Sequence, residues 1–169
     1  KGASENAIAL DNQKQAQKFH QKLHNAILKA QTQKDEIRNG QLEVVIVGAG
    51  ATGVELAAEL HKATREMTAY GLDKINPDKD IKISLIEASE RLLPALPERM
   101  SSSVDRELKK LNVNLYLGER VINVSNQGVK THTGRFIPSA LVVWAAGIKA
   151  PEFLKNLRLK VNEINQIIV

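Results

Sequence analysis

The chain has 169 residues, of which 43% are hydrophobic and 25% charged, so it is long enough for one domain with an apolar core and lacks the composition of a disordered or collagen-like protein. It contains no cysteine, which excludes disulfides, thiolate catalysis and cysteine-ligated zinc within these residues. Its net charge of +5 lies mainly in residues 1–40, and with 4% aromatic residues and no nucleic-acid-binding motif it does not indicate a nucleic-acid partner.

The first predicted element is an amphipathic helix over residues 11–37. Apolar side chains recur there at spacings of three and four, as on the buried stripe of a helix: Ala16, Phe19, Leu23, Ile27 and Ala30. The Asn39-Gly40 dipeptide is a turn signal, so we expect the helix to end before it and a new unit to begin after it.

A run rich in Val and Ile at residues 43–47 predicts a strand buried on both faces, as in a parallel sheet. A helix is predicted over residues 53–70, and a polar loop follows at 71–80. The apolar run at 81–87 predicts a second strand. A third helix is expected at 99–111, after prolines and serines that supply turn and capping groups.

The remaining elements are mostly short and rich in β-branched residues. We expect a strand at residues 113–117, an antiparallel meander with strands at 121–124, 129–133 and 136–137, and a further buried strand at 141–145. Because strands and helices alternate before the meander, the sequence predicts an α/β fold with a parallel sheet, flanking helices and an antiparallel β-meander.

The most informative stretch is Gly48-Ala-Gly-Ala-Thr-Gly53, which directly follows a predicted strand and opens a predicted helix. In this context a G-x-G-x-x-G pattern predicts a Rossmann-like dinucleotide-binding site. Gly48 permits a tight turn, Gly50 leaves room for a pyrophosphate, and Gly53 lets the helix lie close to the sheet. The alternative is that these glycines serve packing alone.

Glu87 ends the second predicted strand, where such a fold places the acid that binds the adenosine ribose hydroxyls. It lies 34 positions after Gly53, which is more than the usual separation of about 20, and the long helix and polar loop account for the difference. An acid here repels a 2′-phosphate, so we expect NADH rather than NADPH. Arg91 is the residue that would favour the opposite preference.

Other candidate residues are less specific. Glu55, in the first turn of the phosphate-binding helix, either complements the helix dipole or contacts the nicotinamide half of the cofactor. Small residues at 145–147 end the last strand at the edge where ligands of open α/β sheets bind. His20 and His24 lie on one helix face without a third metal ligand and are interpreted as surface residues. No catalytic constellation and no metal site are readable.

Three motifs, in this order, resemble bacterial type II NADH:quinone oxidoreductases. They are GAGATGVELAAEL at residues 48–60, LIEASERLLPALP at 85–97 and VWAAGIKAP at 143–151. In that family an NADH-binding domain is inserted between two sequence segments of an FAD-binding domain. The resemblance implies three regions: residues 1–40 from the FAD-binding domain and its connection, 41–150 as the NADH-binding domain, and 151–169 as the start of re-entry into the FAD-binding domain.

The same resemblance implies a set of cofactor-binding residues. These are Gly48, Ala49, Gly50, Ala51, Thr52, Gly53, Glu55, Glu87, Ala88, Val121, Ala146 and Gly147. Residues 48–53 would hold the pyrophosphate, Glu87 the adenosine ribose and Val121 the adenine. Glu55, Ala146 and Gly147 would lie toward the nicotinamide.

The family further implies that NADH binds to this fragment and FAD to the full-length enzyme, which would pass electrons to a membrane quinone. The whole enzyme would lie on the cytoplasmic face of the inner membrane, while the fragment would be soluble and inactive without the missing FAD-binding halves. A homodimer is left open. The alternatives are a non-catalytic NAD-binding sensor or regulatory module and a free-standing dehydrogenase, for which no acid/base residue or substrate domain is found.

Overall fold

The computed structural model describes residues 1–10, 12–69, 71–147, 152–157, 159–162 and 167–168. Its helices are α1 (Ala3–Asn6), α2 (Gln13–Thr32), α3 (Ala51–Ala69), α4 (Pro77–Asp80) and α5 (Glu98–Lys110), with a 3₁₀ helix at Glu152–Leu157. Its strands are β1 (Ile8–Ala9), β2 (Glu43–Val47), β3 (Lys82–Ile86), β4 (Asn114–Tyr116), β5 (Val121–Ser125), β6 (Gly128–Thr131), β7 (Phe136–Pro138) and β8 (Leu141–Trp144).

Five of these strands form a parallel sheet in the order β1-β8-β2-β3-β4. From β2 the chain proceeds outward through β3 and β4, and it later returns to the other side of β2 as β8. The strand order therefore reverses between β2 and β8, and ligands of open α/β sheets bind beyond the carboxyl ends of strands at such a point. Strands β5, β6 and β7 form a separate antiparallel sheet, so the predicted α/β fold with a meander is confirmed.

Strand β2 is buried along its whole length because both of its faces are covered. Val44 and Ile46 pack into the larger apolar cluster, which contains the helices, while Val45 and Val47 pack against the meander. The alternation follows from strand geometry, since successive side chains point to opposite faces. The molecule thus has three layers: helices, parallel sheet and antiparallel sheet.

Residues before β2 contribute to the same sheet and core. Strand β1 forms the edge of the parallel sheet, with Ile8 opposite Val143. Helix α2 buries the apolar stripe that the sequence predicts, namely Phe19, Leu23, Ile27 and Ala30. Its first turn is capped by Asn12, whose side chain accepts from the amide of Gln15.

Several local features differ from the sequence prediction. The short helix α1 was not predicted, and α3 begins at Ala51 rather than residue 53. Helix α2 ends at Thr32 rather than residue 37, and the Gln33 side chain donates to the carbonyls of Asp35 and Glu36 in the turn that follows. The predicted loop 71–80 contains α4, capped by the side chain of Asn76. Strand β1 was not predicted, because two residues are too few for a periodic signal.

Several predicted positions fall outside the described residues. They include 11 and 70, at the ends of two predicted helices, and 148–151, in the third family motif. Near the C-terminus, Val161 and Ile167 form an isolated antiparallel bridge. In the described part of the chain, no helix combines the length and apolar character needed to cross a bilayer. Nor do these residues contain a cluster of acids and histidines suited to a metal ion.

Truncation of Ile27 tests the packing of α2 onto the sheet. Its side chain is 1% exposed, so Ile27→Ala should lower the free energy of unfolding by about 2–5 kcal/mol through lost burial and a new cavity. Equilibrium urea unfolding measures the change. The neighbouring Leu28 is 42% exposed, and Leu28→Ala should cost less than about 1 kcal/mol. Equal losses in the two variants would contradict this packing.

Candidate functional site

The chain leaves β2 through a turn that only glycine fits. Gly48 has a φ of +105°, a conformation that other residues rarely adopt. Its amide donates to the carbonyl of Ile86 in β3 at 2.7 Å. A Cβ on Gly48 would lie 2.7 to 2.9 Å from atoms of Ala146, beyond the end of β8. The turn therefore brings the carboxyl ends of β2, β3 and β8 together.

The other two glycines of the motif differ in their surroundings. A Cβ on Gly53 would lie 1.9 Å from the carbonyl oxygen of Gly48, so the first turn of α3 packs directly on the preceding loop. A Cβ on Gly50 would have no atom within 4 Å. Gly50 is thus exposed and borders open space, as expected where a ligand approaches the backbone.

The start of α3, beside this open space, has backbone amides without an intrahelical partner. Within the described residues, the amides of residues 50–53 have no hydrogen-bond acceptor, and the first bond of the helix runs from the amide of Val54 to the carbonyl of Gly50 at 3.1 Å. The positive end of the α3 dipole lies at the same N-terminus. Unpaired amides and a helix N-terminus together favour an anionic group such as a phosphate.

Glu87 immediately follows β3 and is half-buried beside this loop. Its Oε2 accepts from the amide of Ala49 at 2.7 Å, and its Oε1 accepts from the amide of Ser89 at 2.9 Å. Each carboxylate oxygen has a further lone pair, so the group can still accept hydrogen bonds from a ligand. The acid predicted from the sequence therefore lies against the glycine-rich loop, despite the long separation in the chain.

The remaining candidate residues surround this centre. Thr52 is half-buried, while Ala51 and Glu55 are exposed on α3. Ala88 is exposed beside Glu87. The half-buried Ala146 packs against the Gly48 turn, and Gly147 follows it with a φ of +69°.

Val121 opens β5 and is half-buried against the meander cluster. The amide of Glu119 donates to the carbonyl of Glu87 at 2.9 Å, and this contact joins the segment leading to Val121 to the end of β3.

Arg91, the residue that would favour a 2′-phosphate, is already engaged. Its guanidinium donates to the hydroxyl of Ser101 and to the main-chain carbonyls of Pro94 and Leu96. The described structure thus gives Arg91 three acceptors within the protein.

Glu119 is a buried acid that sequence analysis missed. It is 8% exposed and accepts from the hydroxyl of Thr133 at 2.8 Å and from Nε of Arg135 at 3.2 Å. Hydrogen bonds from Thr131 and Thr133, and then the Arg135 guanidinium, lower its pKa. These partners lie in and after β6, so no local sequence pattern marks the acid.

A separate concavity lies at the opposite edge of the sheet. It has a volume of about 540 Å³ and is lined by residues that precede β2 and β8, including Arg38, Gly40 and Ala140, and by Phe136 and Pro138 in β7. The site around the glycines is recognised by its chemistry: among the described residues, amides without an acceptor lie at a helix N-terminus, an arrangement that favours an anionic ligand.

Comparisons with known proteins agree with this geometry. A family model described as pyridine nucleotide-disulphide oxidoreductase matches residues 1–169. Over 182 aligned residues, the whole chain is 37% identical to a type II NADH:quinone oxidoreductase of Haemophilus influenzae. Over 137 residues, 76% of the chain is 36% identical to an external alternative NAD(P)H-ubiquinone oxidoreductase B1 of Solanum tuberosum mitochondria.

Solved structures share the fold. The structure of NDH2 from Plasmodium falciparum in complex with NADH superposes with a TM-score of 0.78 at 25% identity and covers 91% of this chain. The match covers 32% of that structure's chain. The chain spans 41% of the Haemophilus protein and 23% of the Solanum protein. It therefore corresponds to one part of these longer proteins.

The network around Glu119 makes a pH dependence testable. Because its pKa is lowered in the folded state, its contribution to stability is present above the ordinary value of about 4.5 and is lost as the pH falls through the lowered value. Glu119→Gln should therefore reduce the loss of stability on acidification below pH 4.5. Urea unfolding across this range measures it, with Glu59→Gln on the exposed side of α3 as the control. An unchanged pH dependence in Glu119→Gln would contradict the assignment.

Proposed function

The chain belongs to the pyridine nucleotide-disulphide oxidoreductase family, and from this we propose that it is the NADH-binding domain of a flavoprotein NADH:quinone oxidoreductase. The relatives named above are oxidoreductases of NADH or NAD(P)H, and the structural neighbour is complexed with NADH. A non-catalytic sensor or regulatory module is not favoured by these relatives.

The observation that carries the proposal is the cradle after β2. Among the described residues, the amides of residues 50–53 have no acceptor, and they lie at the positive end of the α3 dipole. Gly50, which has no side chain, borders open space there. Two linked phosphates carry the charge and the acceptor oxygens that such a cradle requires. We assign the pyrophosphate of NADH to residues 48–53 on this basis.

The neighbouring residues supply the other contacts of the proposed site. Glu87, with Ala88 beside it, would accept from the adenosine ribose hydroxyls, and Val121 would flank the adenine. The nicotinamide would extend past β8, where Ala146 and Gly147 have little or no side chain to block it. Glu55, exposed on α3, would lie toward this end of the cofactor.

When bound, NADH supplies a hydride, and the role of this chain is to hold the donor. Backbone amides would fix the phosphates, Glu87 would fix the ribose, and the small residues after β8 would leave one face of the nicotinamide accessible. We place the flavin that receives the hydride in the parts of the longer protein beyond this chain. Residues 1–40 and 151–169 would lead to and from the FAD-binding domain, with β1 and α2 of the first segment packed into the present domain.

For the full-length protein we propose bound FAD, a membrane quinone as electron acceptor, and a peripheral position on the cytoplasmic face of the inner membrane. The names of the relatives support quinone as acceptor. Alone, the chain would bind NADH without completing the reaction, because its described residues supply a nucleotide cradle and not a flavin site. A homodimer remains compatible with this assignment.

Replacement of Gly50 tests the cradle without disturbing the fold. A side chain at this position meets open space, so Gly50→Val should remain folded but occupy the volume proposed for the pyrophosphate. We expect NADH affinity to fall at least about tenfold, or about 1.4 kcal/mol. Calorimetric titration measures this, with Ser102→Val on α5 as the control. Undiminished NADH binding by folded Gly50→Val would refute the proposed site.

Glu87 tests the preference between the two nucleotides. The parent chain should bind NADH more tightly than NADPH, because the carboxylate repels a 2′-phosphate. Glu87→Gln removes the charge but retains an oxygen that can accept from the amide of Ala49. We therefore expect the ratio of NADH to NADPH affinity to fall by about tenfold, or about 1.4 kcal/mol. Tighter binding of NADPH by the parent chain would reverse the assignment.

A further inference from the structure

The loop of residues 88–97 between β3 and α5 is held by side chains that the proposed nucleotide contacts do not use. Arg91 donates through Nη1 to the carbonyl of Leu96 at 2.7 Å and to Oγ of Ser101 at 2.9 Å, and through Nη2 to the carbonyl of Pro94 at 2.7 Å. The Ser101 hydroxyl donates in turn to the carbonyl of Leu92 at 2.5 Å. Arg91 and Ser101 thus tie the loop to itself and to the first turns of α5.

These bonds surround a residue in an unfavourable backbone conformation. Leu93 has a φ of +48°, in the left-handed region that residues other than glycine rarely adopt. Such conformations persist where their surroundings fix them. The side chain of Leu93 is 8% exposed, and that of the preceding Leu92 is 1% exposed, so burial and the Arg91–Ser101 bonds act on the same short segment.

Leu93 connects the 88–97 loop to the glycine-rich loop. Its amide donates to the carbonyl of Ala49 at 2.8 Å, while the amide of Ala49 donates to Oε2 of Glu87 at 2.7 Å. Ala49, which lies between Gly48 and Gly50, is therefore held at both its amide and its carbonyl. One of these anchors comes from Glu87, and the other depends on the conformation of the 88–97 loop.

We propose that Arg91 and Ser101 are positioning residues of the dinucleotide site, which act on the phosphate cradle through Leu93 and Ala49 without contacting the ligand. The inference rests on the proposed function. It also explains why a basic residue stands four positions after Glu87 without serving a 2′-phosphate: its guanidinium is committed to the loop.

The geometry requires arginine rather than any cation. Three acceptors in different directions are satisfied by the two terminal nitrogens of one planar group, whose donors are fixed in a fork. A lysine at this position would keep the charge but lack the fork. Arg91→Lys therefore separates the positioning role from a purely electrostatic one.

The test compares two variants with matched neighbours in the full 169-residue chain. Arg91→Lys is paired with Arg99→Lys, and Ser101→Ala with Ser102→Ala; both control residues are exposed on α5. Fluorescence titration gives the affinity for NADH. Amide hydrogen exchange reports the opening of the Leu93 bond, and urea unfolding reports global stability.

We expect Arg91→Lys and Ser101→Ala each to weaken NADH binding by about 5- to 30-fold, or about 1–2 kcal/mol. Exchange of the Leu93 amide should accelerate about tenfold while amides within α3 keep their rates, which is the signature of local rather than global opening. The two control variants should match the parent in affinity and exchange.

Parent-like NADH affinity in folded Arg91→Lys and Ser101→Ala would overturn the inference and leave the proposed function standing. Equal losses in the control variants would also overturn it, because the effect would then be general to α5. If Arg91→Lys fails to fold, Ser101→Ala decides the question, since it deletes one hydroxyl only. A parent chain that fails to bind NADH would overturn both the inference and the proposed function.

Discussion

The close approach of backbone segments at the end of β2 is the constraint on which the rest of the site depends. Gly48 lies so near Ala146 that a Cβ would overlap it, and Gly53 lies so near the carbonyl of Gly48 that α3 must begin directly above the turn. Side chains at either glycine would push these segments apart. The same contacts fix the direction of α3 and place its free amides where the strand order of the sheet reverses.

The two faces of the parallel sheet have different roles. On one face, α2 and α3 bury an apolar cluster with the even-numbered residues of β2. This packing sets the position of α3, whose N-terminus lies at the proposed phosphate site. On the other face the meander packs against the odd-numbered residues. Glu119 connects this second layer to the site, since its amide bonds to Glu87 and its carboxylate holds Thr133 and Arg135. The meander thus supports the proposed adenosine end of the site.

The parts of the fold that sequence analysis predicted are those with a local physical signal. Residues 44–47 of β2 are all β-branched, and the glycine motif after them predicts the close backbone contacts that are found at Gly48 and Gly53. Helix α4 carried a local signal, an asparagine followed by proline, within a loop too short to suggest a helix. Strand β1 has only two residues and depends on pairing with β8, far along the chain.

The residues of the candidate site also fall into those that a local sequence signal predicts and those that it does not. Glu87 was predictable because it ends a strand, whereas Glu119 and Leu93 were not, because their surroundings come from distant segments. Sequence alone also left open where Arg91 binds, since its acceptors include two main-chain carbonyls set by the loop conformation. The roles that the sequence did not predict therefore belong to residues whose partners are brought together only in the folded chain.

Glu87 links the proposed choice of coenzyme to the conformation of the glycine-rich loop. The same carboxylate that faces the proposed ribose also accepts from the backbone amides of Ala49 and Ser89. A shorter or apolar residue introduced there during evolution would change the proposed coenzyme preference and would also leave these amides without their acceptor. A lineage switching from one coenzyme to the other would therefore need a compensating substitution nearby, so such switches should arise through paired changes rather than single ones.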